Sequence, residues 1–286
     1  GLAFSSNPLP HVSVQGEGAL LKRTNNLYTG NSSPARVAHN IKLAIDTLPL
    51  PSLPARLSLS ARQSGLQRDF SFSGRRYLAD FERAWHLLPL ATGTTARNLP
   101  GENTAETSLA LDLPAGLKLE SGWGRLARTS GERASRNTLG LAFDPSHRLS
   151  ASWRRLDINS RRFTLANNSP ATDTLFHGYR NRNNGALALD FGPLKPSFSL
   201  EHEERTSPEM AFGITGSRHL ELNHRLDAQL SPKLQFGLSL LGRDTDEQVA
   251  GQSMWEAATR ARSGQLESSW NGRGALHRLP DVGDRQ

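Results

Sequence analysis

The stretch Ser108-Leu109-Ala110-Leu111-Asp112-Leu113-Pro114-Ala115-Gly116-Leu117-Lys118-Leu119-Glu120 carries leucine at every second position on both sides of a Pro-Ala-Gly interruption. A period of two is the mark of a β-strand, whose successive side chains point to opposite faces. If Leu113 and Leu117 pair across the three intervening residues, one apolar surface runs through both strands of a hairpin. Proline has no N–H to give to a ladder, so Pro114 marks the reversal.

The same arrangement recurs along the chain. Leu226–Leu230 and Leu234–Leu240 flank Ser231-Pro232-Lys233, and Leu139–Phe143 and Leu149–Trp153 flank a turn predicted at Asp144–Arg148. Leu187–Phe191 and Phe198–Leu200 flank a turn predicted at Gly192–Ser197, and Val37–Ile45 and Arg56–Ala61 bracket a proline-rich link from Leu48 to Pro54. The spacing of these units is irregular, which excludes a solenoid of fixed period. Between them, Leu126–Arg136, Asn159–Asn184, Arg205–Arg218 and Arg243–Ala257 are rich in Arg, Asn, Ser, Thr and Gly and read as long polar loops. The predicted fold class is all-β, with at least ten antiparallel strands in up-and-down hairpins. Turns near Pro114, Pro145 and Pro232 are expected at one end and the polar loops at the other. Residues 1–35 are expected to form an N-terminal extension or edge strand, 36–270 the hairpin array, and 271–286 a polar tail.

Composition bounds the chemistry. The 286 residues contain no cysteine, so disulfides and thiolate metal sites are excluded. No apolar run approaches 18 residues, and a membrane could be crossed only by strands. The opening Gly1-Leu2-Ala3-Phe4 lacks the features of a secretory leader, so any leader is expected to have been removed or to lie outside the sequence. The net charge is +7, and of 34 basic residues only five are lysine, leaving 29 arginines. The arginines are dispersed rather than blocked, as on a solvated surface, and nucleic acid is not the expected partner.

Over roughly residues 37–270 this alternation of short turns with long polar segments resembles that of bacterial outer-membrane β-barrels. The resemblance implies a complete or partial transmembrane-type barrel in the outer membrane or at the cell surface, acting as a channel or scaffold without enzymatic turnover. Outer-membrane lipid or lipopolysaccharide would be its surroundings, with a further barrel segment or protein partner closing the sheet if it is incomplete. Two other readings fit the residues: a secreted or surface β-sheet module for adhesion or assembly, and a periplasmic β-groove that carries lipid along its leucine face.

Strand phase then sorts the polar residues. Glu201 and Glu203 fall opposite Leu200, Arg154 opposite Trp153, and Lys118 and Glu120 opposite Leu117 and Leu119. In a barrel these five line the lumen, as a wet channel or as ion-pair ladders. Arg128, Arg133, Arg136, Arg161, Arg162, Arg180 and Arg182 are the candidates for binding an anionic lipid headgroup or acidic sugar, through charge-assisted forks presented on loops. His202 and His224 fall in phase with the apolar residues of their strands. His219 and Glu221 share a face that His224 does not, so the three do not form a metal site. Asp244, Asp246 and Glu247 read as a solvated loop cluster without the spacing of a calcium loop. No nucleophile, base and acid occur together, and no catalytic residue, cofactor or metal is expected. Asp80–Leu88 fits a short helix or a strand end, with Phe81 and Trp85 as packing or interfacial anchors.

Overall fold

The computed structural model describes residues 1–21, 35–51, 54–67, 84–87, 101–146, 148–166, 169–206, 214–231, 234–249 and 254–270. Among the described residues thirteen strands follow one another: β1 (Leu2–Leu9), β2 (Val12–Leu21), β3 (Arg36–Pro49), β4 (Arg56–Leu66), β5 (Glu102–Leu113), β6 (Leu117–Arg128), β7 (Glu132–Ser146), β8 (Leu149–Ala166), β9 (Ser169–Leu189), β10 (Leu194–Thr206), β11 (Ile214–Ser231), β12 (Leu234–Val249) and β13 (Glu256–Trp270). They form one antiparallel up-and-down sheet in sequence order, with β1 and β13 as its edge strands. The N-terminal residues thus supply two strands of the sheet, and the expected tail at 271–286 lies outside the described residues. No helix among the described residues is long and apolar enough to cross a membrane, which says nothing of crossing by strands.

The strands run further than the apolar runs that announced them. The connections expected as long loops shrink to 129–131, 167–168, 207–213 and 250–255. A backbone ladder needs no apolar side chain, and polar residues continue it wherever cross-strand hydrogen bonds and ion pairs hold them. Two turns also shift. Pro145 belongs to β7 and Pro196 to β10, leaving links of 147–148 and 190–193. Both prolines lie close to a strand terminus, where a missing donor costs the ladder least. Pro232 lies outside the described residues, between the paired Ser231 and Leu234.

The chain divides into two compact units. The first consists of Gly1–Leu111, Glu120–Thr138 and Asp157–Tyr179. Its polar face carries hydroxyl contacts between β4 and β5, Ser60 to Ser108 at 2.7 Å and Ser64 to Thr104, and the Arg62 Nε donates to Asn40 Oδ1 at 2.8 Å. Arg128, its side chain wholly enclosed, sits between Glu102 (3.0 Å) and Glu132 (3.1 Å). Beside them lies a small apolar cluster of Trp85, Leu87, Leu126 and Ala134. Residues 84–85 form a helical turn, which resolves the helix-or-strand ambiguity of this segment for Trp85, whereas Phe81 lies outside the described residues. The Trp85 ring rests on β6 at Gly124, where a Cβ would stand 2.9 Å from its Cη2. The Arg136 guanidinium covers the ring at 4.9 Å from its centroid, a cation–π contact.

The second unit consists of Asp112–Leu119, Leu139–Leu156 and Arg180–Gln286. Its hairpin turns stand side by side. The turn at Pro114–Gly116 abuts Asp144, the Asp190 N–H donates to the Arg148 carbonyl (2.8 Å), and the Gln229 N–H donates to the Pro193 carbonyl (2.7 Å). The turns of this unit therefore share one end, as alternating antiparallel strands require. In the 190–193 link, the Lys195 ammonium 2.8 Å away and the Gly192 N–H hold the Asp190 carboxyl below the usual carboxylate range. That contribution to the turn is present at neutral pH and is lost only as the pH falls through the lowered value.

Gly116 and Gly192 both have positive φ, 72° and 82°, which L-residues adopt at a cost. They differ in surroundings: a Cβ at Gly116 would fall 1.9 Å from the Asp144 carbonyl oxygen, whereas at Gly192 nothing lies within 4 Å. Gly192→Ala should cost about 1 kcal/mol of unfolding free energy. Gly116→Ala should cost clearly more, because the neighbouring backbone has to move. Urea unfolding of the two variants checks the order, and equal losses would contradict this packing of the turns.

Candidate functional site

The register of β10 to β13 fixes two faces by strict alternation. On one face the rungs read Pro196↔Leu226↔Leu238↔Leu266, then Phe198↔His224↔Leu240↔Gly264, then Leu200↔Leu222↔Gly242↔Arg262. On the other they read Ser199↔Asn223↔Leu241↔Ser263, then Glu201↔Glu221↔Arg243↔Ala261, then Glu203↔His219↔Thr245↔Thr259. Leu241 and Ala261 are the apolar exceptions in these polar rungs.

The polar face holds a ladder of ion pairs. Glu201 and Glu221 stand directly opposite each other, a like-charge pairing that would repel if left alone. Arginines on both sides resolve it: Arg182 Nη2 approaches Glu201 at 2.6 Å and Arg243 Nη2 approaches Glu221 at 2.6 Å, while His219 Nε2 lies 3.2 Å from the other oxygen of Glu201. Arg180 Nη2 lies 2.8 Å from Glu203, whose carboxylate is buried. The ladder thus spans β9, β10, β11 and β12, with arginines on the outer two strands flanking the paired glutamates of the inner two.

The apolar face is uncovered. Among the described residues of the second unit no apolar side chain is buried, and Leu187, Leu226, Phe236, Leu238, Leu240 and Leu266 stay between 36% and 48% exposed. Leu187, Leu189, Phe198, His224, Leu226, Leu238 and Leu240 line a shallow apolar hollow on it. The His224 ring meets Phe198 edge-on at 4.6 Å between centroids, and so sits in the apolar phase, as its sequence position implied. Toward the end away from the turns the same face becomes charged. Asp246 is clasped by Arg218 and Arg260, each at 2.9 Å, and Asp244 by Arg262 at 2.7 Å. The Arg218 guanidinium lies over Trp255 at 5.0 Å. Asp244 and Asp246 are therefore strand residues engaged by arginine, not a loop cluster.

Of the five lumen candidates, Glu201 and Glu203 come together in the ladder. Lys118 and Glu120 lie on β6 and Arg154 on β8, each on the face opposite its neighbouring Leu or Trp by alternation. The seven arginines expected on loops all lie in strands: Arg128 in β6, Arg133 and Arg136 in β7, Arg161 and Arg162 in β8, Arg180 and Arg182 in β9. Arg128, Arg136, Arg180 and Arg182 engage carboxylates of this chain, with Glu106 the partner of Arg136. Arg133 and Arg161 are exposed, and the Arg162 side chain lies outside the described residues. Sequence reasoning missed Arg243, Glu102, Glu106 and Glu132 as partners. The strand phase of Glu221 was legible, but its partner depends on register.

No family model and no curated protein matches the chain. A solved structure similar to it is a single-residue mutant of the ferric enterobactin receptor (PfeA) of Pseudomonas aeruginosa. The identity is 10%, the TM-score 0.36, and the match covers 91% of this chain and 51% of that one. The chain spans about half the length of that receptor.

Burial separates the ion pairs by their worth. Glu203→Ala removes a buried carboxylate partner of Arg180 and should cost roughly 2–3 kcal/mol of stability. Asp227→Ala breaks the exposed pair with Arg225 (2.9 Å) and should leave stability within measurement error. Denaturant titration of both variants checks this, and an equal effect would mean that the ladder carries no more weight than a surface pair.

Proposed function

We propose that this chain forms the wall of a bacterial outer-membrane β-barrel, with the apolar face against lipid and the ion-pair face toward an aqueous or packed interior. The observation that carries this reading is the second unit's apolar face, where leucines are exposed and no apolar side chain among the described residues is buried. An apolar surface of this extent on a soluble monomer would be unusual. Lipid is the cover that its limits favour. Along β11 the apolar phase runs from Leu220 to Leu230, which at about 3.4 Å per residue and the roughly 40° tilt of membrane strands projects to about 25 Å, the height of a barrel's apolar band. The Arg218, Asp246, Arg260 and Trp255 cluster adjoining it suits a headgroup layer, where charge and indole are both at home.

The role is a passive channel or scaffold without turnover, and outer-membrane lipid or lipopolysaccharide is the partner. The edge strands β1 and β13 carry ladder groups that lipid cannot satisfy, so a further barrel segment or a protein partner would cover them. The ladder of Arg180, Arg182, Glu201, Glu203, His219, Glu221 and Arg243 would line or brace the interior.

On this reading the purified protein requires detergent, and in a planar bilayer its ion preference shifts when Glu201 and Glu203 are both replaced by arginine. Leu238→Arg on the apolar face should reduce folding into bilayers by about 2–4 kcal/mol, while Ser239→Arg on the polar face should have little effect. A protein that is monodisperse in plain buffer, with both arginine variants equally tolerated, would leave the adhesion-module reading in its place.

A further inference from the structure

We propose that Trp85 is a latch that holds residues 84–87 against the polar face of β6, β7 and β8, and that its release widens the aqueous path along that face. The inference rests on the channel reading above and deepens it.

The polar face of β6 runs Lys118, Glu120, Gly122, Gly124, Leu126 and Arg128, so two glycines and a leucine interrupt a row of charges. Beside them on β7, Ala134 stands between Glu132 and Arg136. Together they form a receptor shaped for an indole. Gly124 leaves the space that the ring enters, Leu126 and Ala134 give it apolar walls, and Arg136 covers its face. Trp85 is 3% exposed and Leu87 9%. Both are buried on the side of the sheet that elsewhere carries ions and hydroxyls. Large apolar residues gain nothing from a water-facing wall unless something there receives them.

A backbone contact joins the ring in holding the segment. Beyond the ring, the Ser160 hydroxyl donates to the His86 carbonyl at 2.7 Å. His86 itself has φ of 51°, a left-handed conformation that a non-glycine residue holds at a cost and that undocking would relieve. The Arg136 guanidinium is shared between the Trp85 ring and the Glu106 carboxylate, so it keeps a partner when the ring leaves.

The chain has no cysteine, so Leu87→Cys introduces a unique thiol at a docked position. Its labelling by a charged, membrane-impermeant maleimide is measured in detergent and in vesicles, alone and combined with Gly124→Val, which fills the notch. Single-channel conductance is recorded for Gly124→Val and Trp85→Ala. Labelling should become roughly ten-fold faster when the notch is filled, and conductance should rise by about half or more in both variants. Unchanged labelling would overturn the latch, because the segment would then not depend on the notch. Faster labelling with unchanged conductance would overturn it as a control of the path. A wild-type protein that conducts nothing, yet whose labelling responds to Gly124→Val, would sink the channel reading itself and leave Trp85 a packing contact only.

Discussion

Alternation is the constraint on which the rest of this molecule depends. A strand sends successive side chains to opposite faces, and neighbouring antiparallel strands keep residues opposite each other on the same face. Once Glu201 is opposite Glu221 and Leu200 opposite Leu222, the choice is made for every rung between Leu194 and Thr206. A slip of one residue would turn the leucines to the ion-pair side and the glutamates to the apolar side. The ion pairs themselves therefore pin the register, since Arg182, Glu201 and His219 meet only in this one.

Glycine has a recurring part in this arrangement. Phe4 lies over its cross-strand partner Gly16, and His39 over Gly65, with a Cβ at either glycine falling 2.1 Å and 2.3 Å from the ring. Trp255 over Gly216 and Trp85 over Gly124 repeat the contact without direct pairing. A missing side chain gives a ring room to lie against the sheet, which leaves Phe4 57% exposed but lets Trp85 be buried without a large core. In the first unit this device buries Trp85, and in the second unit it closes the charged end of an otherwise uncovered face.

The sequence made the face assignments readable because they need only a period of two. Leu109, Leu111 and Leu113, the phase of Glu201 and Glu203, and the separation of His219 and Glu221 from His224 all follow from it. Strand ends were not readable in the same way. Arg128 follows an apolar run, Arg136, Arg180 and Arg182 precede one, and all four look like loop residues until carboxylates 19 to 30 positions away are brought beside them by register. No local pattern encodes that pairing. The docking of Trp85 was hidden for the same reason, although Gly122 and Gly124 inside an alternating run were a visible sign that something approaches β6 closely.

The central claim is that one face of the sheet meets lipid and the other water. In a chain without cysteine, single nitroxide labels can be placed at successive positions from Leu234 to Arg243 in reconstituted vesicles. Their collision rates with oxygen, which concentrates in acyl chains, are then compared with those for an aqueous nickel chelate. The expected result is a period of two, with oxygen favoured at Phe236, Leu238 and Leu240 and the chelate favoured at Gly237, Ser239 and Arg243. Accessibility to the chelate at all of these positions, with no alternation, would contradict the account.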